Sequence, residues 1–138
     1  MTPKYNFLRF QFLLVIVLAL QACGAANAVK RAETVEQKAY AAYGEFVIVS
    51  EQAAKLVSSG QLDNRSIIAI GRAEEAAKEV ADPLIELTVE FEAIRKEYLA
   101  GGTGEIRFIS TMNNLNNWVE RLLPLVANLQ SVKEGAEQ

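Results

Sequence analysis

An all-α fold is predicted for this chain: an antiparallel up-down-up bundle of three long helices behind a cleaved leader. Three observations predict it. Apolar residues recur at alternating spacings of four and three through three long stretches, the seam pattern of packed helices. Those stretches are separated only by short breaks rich in Gly and Ser. No segment shows the apolar-polar alternation, bounded by hairpin turns, of a half-buried strand.

The chain opens on a basic stretch with Lys4 and Arg9, followed by an unbroken apolar run over 12–20. A bilayer-spanning helix needs roughly 20 apolar residues. Even counted from Phe10 the run falls short, so a secretory signal is expected over 1–22 rather than a permanent span. Leu20, Gln21, Ala22 and Cys23 follow, and Cys23 is the single cysteine of the sequence. This stretch resembles the lipobox of bacterial lipoproteins, which sets an apolar residue three before the cysteine and a small one just before it. Leu20, Ala22 and Cys23 match; Gln21 is less usual at its position.

The resemblance covers the first quarter of the chain. It implies cleavage after Ala22 and three acyl chains on Cys23, a lasting tether where one chain would hold only marginally. Gly24 is not the Asp that, by resemblance to enterobacterial lipoproteins, retains a protein in the inner membrane, so an outer-membrane location facing the periplasm is expected. The alternatives are an ordinary signal cut near Ala22 or Ala28, and a buried structural cysteine. Residues 23–28 read as a lipidated tether, 29–134 as the bundle and 135–138 as a C-terminal tail.

Loss of residues 1–22 leaves 116 of 138 residues, enough for one domain. It also removes Lys4 and Arg9, lowering the 14 basic residues to 12 against 17 acidic ones, for a net charge of −5. That balance argues against a nucleic-acid partner. Histidine is absent and the one cysteine is taken by the anchor, so imidazole and thiolate metal sites, intrachain disulfides and His-dependent triads cannot be assembled. No cofactor or metal is expected.

The first helix is predicted from about Val29 to Ser59, with Val35, Ala39, Ala42, Phe46, Val49, Ala53 and Leu56 on its seam. Gly60 ends it, and Asp63 is placed to cap the next. There the seam is Ile70, Ala73, Ala77, Val80, Leu84, Leu87, Phe91, Ile94 and Tyr98, and its phase is unbroken across Asp82-Pro83. A loop at that point would shift the phase. One helix of about 35 residues, kinked near Pro83, is therefore expected. Gly101-Gly102-Thr103-Gly104 reads as a flexible turn; as a phosphate cradle it lacks both a preceding strand and a following Lys-Ser or Lys-Thr. The third helix, about 105–133, carries Phe108, Met112, Leu115, Val119, Leu122, Val126 and Leu129 on its seam, with a bend at Pro124.

Few residues suggest chemistry. Glu86, Glu90 and Glu97, with Glu74, Glu75 and Glu79, would serve acid-base or cation binding only if gathered and shielded. At 100° per residue, the first three face away from the seam, which reads as a solvated face. Arg95 lies near the Leu84, Phe91 and Tyr98 seam, either to grip an anionic group or to reach water or Glu92 near the bundle end. Asn113, Asn114, Asn116 and Asn117 lead into Trp118. Asn113, Asn117 and Trp118 are candidate contacts for a saccharide or peptide, set against a polar face beside a core tryptophan. On the first helix Ile48 turns away from the seam, and Tyr40, Gly44 and Val47 surround it. These four are a candidate surface for a partner protein or a second copy, set against a lone exposed isoleucine.

The function expected is that of a non-enzymatic, lipid-anchored binding or interaction module of the bacterial envelope. The alternative is a phage- or prophage-type envelope lipoprotein acting in superinfection exclusion or lysis, the lysis version disfavoured by only three prolines. A carboxylate-dependent envelope enzyme ranks below both.

Overall fold

The computed structural model describes residues 34–102 and 104–138. Leu20, Ala22 and Cys23, with the signal segment, the tether and positions 29–33, lie outside the described residues. Three helices follow in order: α1 (Val35–Ser58), α2 (Asn64–Leu99) and α3 (Glu105–Ala136). They pack against one another as the antiparallel up-down-up bundle that the seam predicts.

Each boundary has a local cause. α1 starts at Val35, later than expected, because Thr34 is extended and caps it. The Thr34 hydroxyl accepts from the Gln37 N–H at 3.2 Å and the Gln37 side chain accepts from the Thr34 N–H at 3.2 Å, a reciprocal capping box. Gly60 follows the end of α1 at φ 71°, the left-handed conformation expected of it. Asp63 caps α2 by accepting from the Ser66 N–H at 2.8 Å, and this bond holds its carboxyl below the usual range. α2 then runs for 36 residues without interruption.

Pro83 and Pro124 both sit inside continuous helices. Each lacks the N–H that would bond the carbonyl four residues earlier, at Glu79 and Glu120. The apolar seam carries the helix through regardless, which is what unbroken phase across Pro83 requires. α3 extends to Ala136, slightly beyond the expected end.

The turn after α2 opens on a closed helix end. Gly101 takes φ 86°, its N–H donates to the Tyr98 carbonyl at 3.1 Å, and the Gly102 N–H donates to the Glu97 carbonyl at 3.1 Å. Those two bonds form a Schellman closure of α2. A Cβ on Gly102 would stand 2.8 Å from the Glu97 carbonyl oxygen, which excludes larger residues there.

The core is the predicted seam. Ala39, Ala42, Phe46, Val49 and Ala53 of α1 are buried against Ile70, Ala77, Leu84 and Phe91 of α2 and Leu115, Leu122 and Leu129 of α3. Phe108 of α3 stacks on Tyr98, with centroids 4.7 Å apart, and on Phe91 at 5.3 Å. Small residues on α1 let the helices approach closely while the rings fill one end.

Burial extends past the two-position seam. Ala81 and Thr88 of α2 are fully buried, and Glu36 of α1 is mostly so, at 7% exposure. Ala81, Thr88 and Arg95 are spaced by seven, one column beside the seam. Arg95 reaches α1, so that column faces α1. A helix with two neighbours buries a wider stripe than one seam. The Thr88 hydroxyl avoids an unpaired burial by donating to the Leu84 carbonyl at 2.7 Å.

Candidate functional site

Register places the start of α1, the end of α2 and the start of α3 at one end of the bundle. Tyr40 meets Glu92 and Glu36 meets Arg95, which sets α1 against the last turns of α2. Phe108 on Tyr98 does the same for α3. At the opposite end, Lys133 donates to the Gln52 side chain at 3.0 Å.

Arg95 pairs with Glu36 rather than Glu92, and its side chain stays 42% exposed to water. Its Nε lies 2.8 Å from Oε1 of Glu36, whose side chain is buried against α2. Neither atom makes an aligned hydrogen bond, so the contact is a charge pair. The pair ties Arg95 of α2 to the first turn of α1 through its Nε. Glu36 also lies in the first turn of α1, where the helix dipole favours a negative charge.

Glu92 is occupied instead by Tyr40, whose Oη donates to its Oε1 at 2.8 Å. Donation to this carboxylate, helped by burial and the nearby negative charges of Glu92 and Glu36, raises the Tyr40 phenol above its ordinary value of about 10. A raised folded value means that the bond supports the fold fully below the unfolded value and loses that support as pH rises through the folded one. In residues 24–138, Glu92→Gln should lower one tyrosine midpoint in a phenolate absorbance titration. Superimposable wild-type and variant titrations would show that the bond does not persist in solution.

The expected partner surface is on the outside of α1, with one amendment. Ile48 is 46% exposed and Tyr40 is exposed along its ring, but Val47 is half-buried and packs against the core. Among the described residues, nothing outside its own helix turn comes within 4 Å of a Cβ placed on Gly44, so that side is open. Tyr40, Gly44 and Ile48 thus remain as surface, and Val47 supports them from beneath.

Asn113, Asn114 and Asn117 are exposed along α3 and share a shallow hollow with Ile106, Ile109 and Ser110. Trp118 is half-buried against the core, and the Arg121 guanidinium covers its ring 4.4 Å from the centroid. The hollow is lined by the amides without the indole, and Arg95 is engaged with Glu36 of α1.

Glu86, Glu90 and Glu97 are exposed as expected, and Glu90 accepts from Arg107 at 3.3 Å. Lys78 and Asp82 form a further surface pair. Among the described residues no group of three or more acidic, His or Cys side chains could hold a metal ion, and no helix is long and apolar enough to cross a membrane.

The largest apolar exposures were not singled out by the sequence pattern. Leu99 is 73% and Ile106 is 86% exposed, on either side of the α2–α3 turn, with Ile109 one turn further along α3. Their signal was present as apolar residues off the seam phase beside a break. Fold and surface together define an all-α three-helix bundle with no enclosed polar constellation described. No protein family, curated protein or solved structure matches the chain.

Proposed function

We propose that the chain is a lipid-anchored, non-enzymatic protein of the bacterial envelope that acts as a binding or interaction module. The observation that carries this reading is Leu20-Gln21-Ala22-Cys23 behind a basic and then apolar leader, in a chain with no other cysteine. Acylation at Cys23 would hold the bundle at the membrane, and Gly24 after it supports the outer membrane, facing the periplasm. The absence of histidine supports a role in contact rather than catalysis. The wild-type protein, expressed in a bacterium, should incorporate labelled palmitate and partition into the detergent phase. An unlabelled protein in the aqueous phase would overturn the anchor.

The partner face in this reading is Tyr40, Gly44 and Ile48 on the outside of α1, backed by Val47. Confinement to a membrane plane raises the local concentration, so even a weak contact with an envelope protein or a second copy would be populated. Ile48→Lys should reduce envelope cross-linking of the lipidated protein while leaving the melting temperature nearly unchanged, because the side chain is outside the core. Identical cross-linking in wild type and variant would remove this face from consideration.

A further inference from the structure

The two most exposed large apolar residues described, Leu99 and Ile106, flank the same turn, and Ile109 continues their surface along α3. Between Tyr98 and Gly104 the sequence has no charged residue. The Gly101 and Gly102 bonds close the end of α2 directly after Leu99, which is exposed there. At the other end of the bundle, Ile68 is the one large apolar residue of comparable exposure.

This apolar end is also the end at which α1 begins. Eleven peptide steps run from Cys23 to Thr34. Covalent geometry alone keeps Thr34 within about 40 Å of Cys23 at full extension. The opposite pole lies the length of α2 away, about 50 Å. An anchor at Cys23 therefore keeps the end at which α1 begins within reach of the lipid, nearer along the chain than the opposite pole.

We propose that the α2–α3 end of the bundle rests in the lipid interface, with Leu99 and Ile106 in the boundary between headgroups and acyl chains. The inference rests on the anchor reading above and adds an orientation: the bundle stands on the membrane by its uncharged turn. The contact is apolar rather than electrostatic. Glu97 and Glu105 border the turn, and Arg107 is already paired with Glu90. Lys96 in the last turn of α2 is exposed beside the two acids, so the charge bordering the turn is mixed and the uncharged stretch lies between.

Acylation of Cys23 removes the only native thiol, so full-length lipidated Ile106→Cys presents a single thiol to an environment-sensitive dye. Gln61→Cys, exposed in the turn between α1 and α2, is the matching probe for the far end. Both are reconstituted in vesicles of phosphatidylethanolamine with a minor fraction of phosphatidylglycerol, with and without a lipid bearing a headgroup-level nitroxide. The dye at 106 should emit at shorter wavelength than the dye at 61. The nitroxide should quench it by about twofold or more, as expected for burial roughly 5–10 Å into the interface, and leave the dye at 61 unchanged.

Intact mass of the same samples reports the acyl chains. Acylated protein whose two dyes respond alike overturns the orientation and leaves the anchor standing; protein without acyl chains overturns both. A blue-shifted dye at 106 that escapes the nitroxide but follows protein density means a second copy covers this end, and overturns the lipid contact.

Discussion

Phe91→Ala is expected to cost the bundle about 3–5 kcal/mol, the range for deleting a buried ring whose surroundings cannot collapse. Phe91 is 1% exposed, and its ring stacks on Phe108, which stacks in turn on Tyr98. Truncation removes the innermost ring and leaves Phe108 with a void on one face. The aliphatic and aromatic neighbours come from separate helices, so none can fill the void without shifting a whole element. In thermal melts of residues 24–138 the midpoint should fall by about 15 °C or more. Phe46→Ala, at a buried position on α1, should produce a loss of the same order. Glu90→Ala should stay within about 0.5 kcal/mol of wild type, since it removes only an exposed pair with Arg107. Equal small losses for all three would refute the packing described.

Cys23→Ser should abolish palmitate incorporation completely, because the thiol is the sole acceptor available to the lipoprotein pathway that the sequence resembles. A variant left uncut would still carry residues 1–22 and be heavier by their mass. The readouts are therefore label and mass. Detergent partition alone would mislead, since the uncut apolar run over 12–20 would itself bind detergent. Palmitate retained by Cys23→Ser would place the acyl group elsewhere. A wild-type protein processed but unlabelled would mean an ordinary signal cut.

Helix faces were legible in the sequence because the period of the apolar pattern reports which side of a helix is buried. Phe46, Leu84, Phe91, Leu122 and Leu129 all lie where that period places them. Register between helices was not legible. Arg95 has Glu92 one turn behind it, and a single-helix view pairs the two. The slide of α1 along α2 instead brings Glu36 to Arg95 and Tyr40 to Glu92. Thr88 was missed for a related reason: a polar residue beside the seam reads as surface until a second neighbour covers it and its hydroxyl bonds its own backbone.

The site candidates divide along the same line. Ile48 on the outside of α1 and the asparagines on the outside of α3 follow from phase alone. That Trp118 lies half-buried under Arg121 depends on side-chain packing, which periodicity does not encode. Exposure of Leu99 and Ile106 depends on where the turn ends and on what stands opposite it. The sequence marks the break there but not its neighbours.

The up-down-up order of the three described helices has a mechanical consequence. α1 starts at the end where α3 starts, so the C-terminal residues Glu137 and Gln138 lie at the pole opposite Thr34. Tension between a fixed N-terminal side and anything gripping the C terminus is directed along the helix axes. The interlocked rows around Phe46, Phe91 and Leu122 are then loaded in shear and must slip together, whereas a helical hairpin pulled by two ends at one pole peels open a turn at a time. Resistance to such a pull is set by the unfolding rate, and so by the same rings that Phe91→Ala disturbs.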